Sequence, residues 1–148
     1  MSGLLIKHGE WVVVCDGAKA LILENTGDVK FPNLKTVQVL EQKDLPTHSV
    51  GADKPGRTHS SAGPGSSSVT QTDWHNQSEQ VFLTHLAQRL DGDVAAGKVK
   101  SLILVAPPRA LGMIREAYPH ALRSAVRSEV DKDFVKLPVH EIEKHLTA

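Results

Sequence analysis

Between residues 42 and 73 the chain carries Gly51, Gly56, Gly63 and Gly65 interleaved with Lys54, Arg57 and His59. Glycines let backbone amides face a ligand and nearby cations add positive charge, so this set suits the holding of phosphate oxygens. A flexible, solvated loop without a ligand is the plainer account, since glycine clusters lacking a fixed phosphate-loop spacing are common. The second candidate is Arg109, which follows Pro107-Pro108 directly after an apolar run at 101–106. A strand there, followed by a proline-opened helix, projects Arg109 at the carboxyl end of the sheet, where ligands of α/β folds bind. A surface salt bridge is the alternative.

Asp16 is the one weak candidate for hydrolytic chemistry. A carboxylate ending a first strand can help bind catalytic magnesium, but two or three more carboxylates must converge on it. Glu24, Glu41 and Asp73 are the sequence candidates and have no ordered spacing, so a turn-forming Asp beside Gly17 is more economical. The chain has eight histidines, yet His140-Glu141 and His145 do not make a zinc-protease motif. His140 and His145 are five apart and diverge by about 140° around a helix. His48, His59 and His75 form only a weak loop set, and no metal or other cofactor is expected. Ser60, Ser61 and Ser66-Ser67-Ser68 lack the strand-to-helix Gly-x-Ser-x-Gly context of a serine hydrolase. Cys15, the single cysteine, admits no internal disulfide, and its apolar surroundings predict a buried, inert thiol. An enzyme is therefore the less favoured class.

The elements that must position these residues follow from periodicity. A continuous apolar run, Trp11 to Cys15, ends at Asp16-Gly17 and resumes at Ala20 to Leu23, which predicts a hairpin with a tight Asp-Gly turn. Thr36 to Leu40 alternates like a half-buried strand. The stretch from 42 to 73 has almost no large apolar residues and predicts a long, mobile loop. Asp73 is the expected N-cap of a helix starting near Trp74, with Phe82, Leu83, Leu86, Ala87, Leu90 and Val94 on one face. Ser101 to Ala106 reads as a central strand buried on both sides. Pro107-Pro108 opens a helix lined by Leu111, Ile114 and Tyr118, and Pro119 closes it or starts a second short one. Ala125 to Val130 is the last strand, and Val139 to Leu146 an amphipathic terminal helix. The expected architecture is one α/β domain over residues 1–148, a mixed five-stranded sheet flanked by helices, ribonuclease-H-like in topology.

Lys plus Arg equal Asp plus Glu at 17 each in 148 residues, so no global field attracts nucleic acid or anionic lipid, and any RNA contact must be a local patch. The opening MSGLLIKHGE reads as neither a signal peptide nor a membrane span, which predicts a cytoplasmic protein without membrane contact.

Several strings, in order along nearly the whole chain, are similar to one known family. Val14 to Ala20 (VCDGAKA) resembles the strand turn that opens the bacterial proteins "required for attachment to host cells". Asp53 to Arg57 (DKPGR) and Ser61 to Gly65 (SAGPG) resemble their loop elements, Leu104 to Gly112 (LVAPPRALG) their central signature, and Leu137-Pro138 with His140-Glu141 their ending. That family resembles the middle domain of archaeal and eukaryotic release factors, which implies a ribonuclease-H-like fold and association with the ribosome or structured RNA. In release factors a Gly-Gly-Gln tip occupies the loop after the third strand, whereas residues 42–73 contain none, so peptide release by that route is not expected. The resulting expectation is a ribosome- or RNA-associated binding protein contacting phosphate through Lys54, Arg57, His59, Gly63, Gly65 and Arg109. The alternatives are a hydrolase of RNA phosphodiester or peptidyl-tRNA ester, and an interaction protein that affects host attachment indirectly.

Overall fold

Three consecutive valines make Trp11–Cys15 (β1) an unambiguous strand, and its five residues are all buried because β1 is the middle of the sheet. In this computed structural model, which describes residues 4–42 and 67–147 and only the backbone of 67–76, β1 is followed by β2 (Lys19–Asn25) and β3 (Leu34–Glu41) in an antiparallel meander. The helix α1 (Ser67–Ala95) leads to β4 (Leu102–Val105), which pairs parallel to β1. Next come α2 (Pro108–Arg115), α3 (His120–Ala125), β5 (Val126–Val130) and α4 (Val139–Thr147). The sheet order is β3-β2-β1-β4-β5, mixed and five-stranded, as the ribonuclease-H-like reading expects.

Alternation along the strands divides the core in two. Trp11, Val13, Cys15, Ile22, Leu102 and Leu104 face α1, α2 and α3. Val12, Val14, Leu21, Leu23, Ile103 and Val105 face α4 and Ile6. Both faces of β4 are thus buried, which explains its unbroken apolar run. On α1, Phe82, Leu83, Leu86, Ala87 and Leu90 are buried at the spacing the sequence predicts, with Val94 packed at the margin. Each fully buried Leu or Phe contributes roughly 2 kcal/mol. No helix among the described residues is long and apolar enough to cross a membrane.

Two expectations need correction. The helix begins at Ser67, so Asp73 lies inside it rather than capping it, and residues 67–73 are helical rather than loop. No Gly or Pro separates Ser67 from Asp91, and without a breaker the helix extends backward through polar residues of middling propensity. The hairpin turn also differs. Cys15 pairs with Ala20 and the Asp16 amide donates to the Lys19 carbonyl (3.0 Å), so Asp16, Gly17 and Ala18 make the connection. Gly17 does not have the positive φ that a two-residue Asp-Gly turn requires.

Candidate functional site

At the carboxyl ends of β1 and β4, the Asp16–Lys19 turn and the start of α2 enclose a cleft of about 260 Å³, lined by Asp16, Gly17, Ala18, Glu79, Pro107 and Arg109 among others. Asp16 shapes its wall. The carboxylate Oδ1 accepts from the amides of Ala18 (2.8 Å) and Lys19 (2.9 Å), an arrangement in which a short acidic side chain substitutes for a backbone turn. Pro107 extends into α2 without a side-chain cap and Pro108 has no amide, so Arg109 and Ala110 supply the first backbone donors at that helix start.

Glu79 closes the cleft from α1. Its carboxylate lies 3.1 Å from the Arg109 guanidinium, with 32% and 61% of the two side chains exposed. An ion pair this open to water is worth about 0–1 kcal/mol, so a phosphate that offers Arg109 a bidentate partner competes with Glu79 at little cost. Gly17 permits the arrangement. A Cβ there would sit 2.6 Å from Glu79 Cγ and 2.7 Å from Cδ. Gly17→Ala is therefore expected to push the Glu79 side chain off Arg109 while shifting stability by less than about 1 kcal/mol, because only an exposed pair is lost. A thermal melt checks this, and a much larger drop would mean that the Glu79 stem is needed for packing.

The structure brings Asp16 and Arg109 to one cleft, as their positions after β1 and β4 predict. Glu79 escaped the sequence reading, although a carboxylate four residues before Leu83 on the core-facing stripe was a usable signal. Lys54, Arg57, His59, Gly63 and Gly65 lie outside the described residues, as does His48; His75 and Asp73 are described by backbone alone. Of the three carboxylates the sequence offers beside Asp16, one lies at the far end of the sheet, one at the same end, and Asp73 is described by backbone alone. Glu24 pairs with Trp11 at the far end of β1, and Glu41 pairs with Lys19 across the meander. Among the described residues no three His, Cys, Asp or Glu side chains are grouped to hold a metal. His140 and His145 both approach Glu141, at 3.6 and 3.9 Å, and His145 stacks on Phe134. Cys15 is fully buried, and burial, reinforced by the Asp16 charge, pushes its thiol up to about 12, so it is inert.

The opposite end of the sheet is held by buried polar groups. Glu10 accepts from Arg127 Nε (2.7 Å) and the Ser101 hydroxyl (2.7 Å) on Oε2, and from a second Arg127 nitrogen (2.9 Å) and the Lys7 amide (3.0 Å) on Oε1. Burial alone would raise its carboxyl, but these bonds outweigh it and hold the group below the ordinary carboxylate range. Asn25 is equally buried and ties residues 6–9 to the β2–β3 hairpin. On the β5 edge, Arg115 holds the Glu129 carboxyl low while Tyr118, raised by burial and by that carboxylate, donates to it at 2.8 Å. Both frameworks lie away from the Arg109 cleft.

Residues 10–146 match the family model described as Bacterial archaeo-eukaryotic release factor family 12. No curated protein matches the chain.

Proposed function

Because the chain belongs to the bacterial archaeo-eukaryotic release factor family 12, we propose that it is a release-factor-related binding protein that docks on the ribosome or on structured RNA through the cleft between β1 and β4. The observation that carries this reading is Arg109, exposed at the carboxyl end of the sheet beside the first donors of α2, where its ion pair to Glu79 is open to water. That geometry receives a phosphate oxygen through charge and backbone amides without reading base sequence. Residues Lys54, Arg57, His59, Gly63 and Gly65 extend the same phosphate chemistry in this reading, since they precede α1 in the chain. Host attachment enters only as an indirect outcome of altered gene expression.

Sedimentation of cell lysate through a sucrose gradient tests the proposal. The protein is expected to travel with ribosomal particles at low salt, and recovery only in the light fractions, with and without stress, would overturn it. Arg109→Ala should weaken the association about tenfold and reduce its salt dependence by about one ion. Glu79→Gln should act in the opposite direction, because it removes the carboxylate that competes with phosphate for the guanidinium.

A further inference from the structure

The pole opposite the Arg109 cleft carries a hydrogen-bonded hairpin tip whose most exposed large hydrophobic is aromatic. Phe31 is 75% exposed and Val29 42%, yet the backbone around them is held firmly. Asp28 Oδ1 accepts from the Phe31 amide (2.7 Å), the Asp28 amide donates to the Phe31 carbonyl (3.2 Å), and Asn25 Oδ1 accepts from the amides of Gly27 (2.9 Å) and Asn33 (2.8 Å). The ring is thus presented to water by an ordered scaffold, with Lys30 beside it in sequence.

This tip is joined to a basic cleft. The His8 ring donates from Nδ1 to the Gly27 carbonyl (2.7 Å), and the Gly9 amide donates to the Asn25 carbonyl (2.8 Å). Lys7 and His8 then form one side of a cleft of about 440 Å³ whose other side is Lys98 and Lys100. Glu10 in its floor is neutralised by Arg127, and Asp93, which approaches Lys98 at 3.8 Å, is also faced by Arg89. Glu24 is the remaining carboxylate of the cleft, so positive charge is in excess. Among the described residues no ion pair engages Lys7 or Lys100.

We propose that this pole is a second nucleic-acid contact, specific for single-stranded RNA, in which Phe31 stacks on an unpaired base and Lys7, Lys98 and Lys100 follow the adjoining phosphates. Aromatic faces bind bases of any identity, and a neighbouring basic groove supplies the backbone attraction, which is how single strands are held without sequence readout. The site is separate from the Arg109 cleft and does not depend on it.

The test uses the full chain and a short fluorescein-labelled oligouridylate, followed by anisotropy at low and moderate salt. Phe31→Ala should weaken binding about tenfold, whereas Phe31→Trp should retain it. Lys7→Ala with Lys100→Ala should lower the slope of log affinity against log salt by about 1.4. Arg109→Ala should leave this binding unchanged, which separates the present site from the cleft between β1 and β4. All these side chains are exposed, so a thermal melt of each variant should match the parent. Equal binding by Phe31→Ala and the parent would overturn the proposal. So would the absence of oligonucleotide binding at low salt, which would leave Phe31 as an anchor for an apolar pocket on a protein.

Discussion

Glu10→Gln is expected to cost the fold about 3 kcal/mol, the low end of the range for breaking a buried ion pair. The Glu10 side chain is 1% exposed and its partner Arg127 33%. The variant therefore strands a guanidinium that can recover only part of its hydration, and in either orientation it turns an amide donor toward Arg127 and toward Ser101 or the Lys7 amide, which already donate. A loss of this size lowers the melting midpoint by roughly 6–12 °C in a chain of this length. Its pH dependence identifies the source. The folded carboxyl lies below its unfolded value, so its contribution is complete above about pH 4.3 and fades as the pH falls through the folded value. The gap between parent and variant should be constant near neutrality and close on acidification. A gap that persists unchanged in acid would assign the loss to packing rather than charge.

Asn25→Asp should be as damaging, also at about 3 kcal/mol, for a different reason. Asn25 is fully buried and works in both directions: its amide nitrogen donates to the carbonyls of Ile6 (2.8 Å), Lys7 (3.3 Å) and Asp28 (3.3 Å), while its oxygen accepts from Gly27 and Asn33. Aspartate keeps the acceptor but replaces the donor with an oxygen facing three carbonyls, a buried repulsion with no water to relieve it. Chemical denaturation of parent and variant measures the loss. The variant should also lose the single-strand binding assigned to Phe31 before it unfolds, because the tip is ordered by the same side chain. Stability within about 0.5 kcal/mol of the parent would show that the hairpin is held by its other bonds.

How much of this was legible in the sequence depends on the range of the interaction. The valine run of β1, the Phe82 to Leu90 stripe and the apolar run of β4 are local patterns with periods of two or 3.6, and they appear where expected. Arg109 was placed by the same logic, because a residue just beyond a buried strand must emerge at the sheet's end. Glu10 offered no such clue, since its partner Arg127 is 117 positions away. Gly17 looked like a conformational requirement and is instead a matter of room for Glu79. The backward extension of α1 was missed because polar residues without Gly or Pro are compatible with either loop or helix, and neighbouring structure decides between them.

The parallel pairing of β1 with β4 has a consequence for how the chain is made. Glu10 and Ser101, which meet at the start of those two strands, are 91 positions apart, whereas the meander β1-β2-β3 is complete by Glu41. During synthesis the three strands can therefore assemble while one edge of the buried strand β1, Val12 to Val14, has nothing to pair with. Closing so long a span is slow compared with forming a hairpin, and an unpaired valine edge is adhesive toward other nascent chains. Slowed elongation or truncation between the codons for Glu41 and Leu102 would prolong that state, so the yield of soluble protein is sensitive to events in a stretch of message well downstream of the meander.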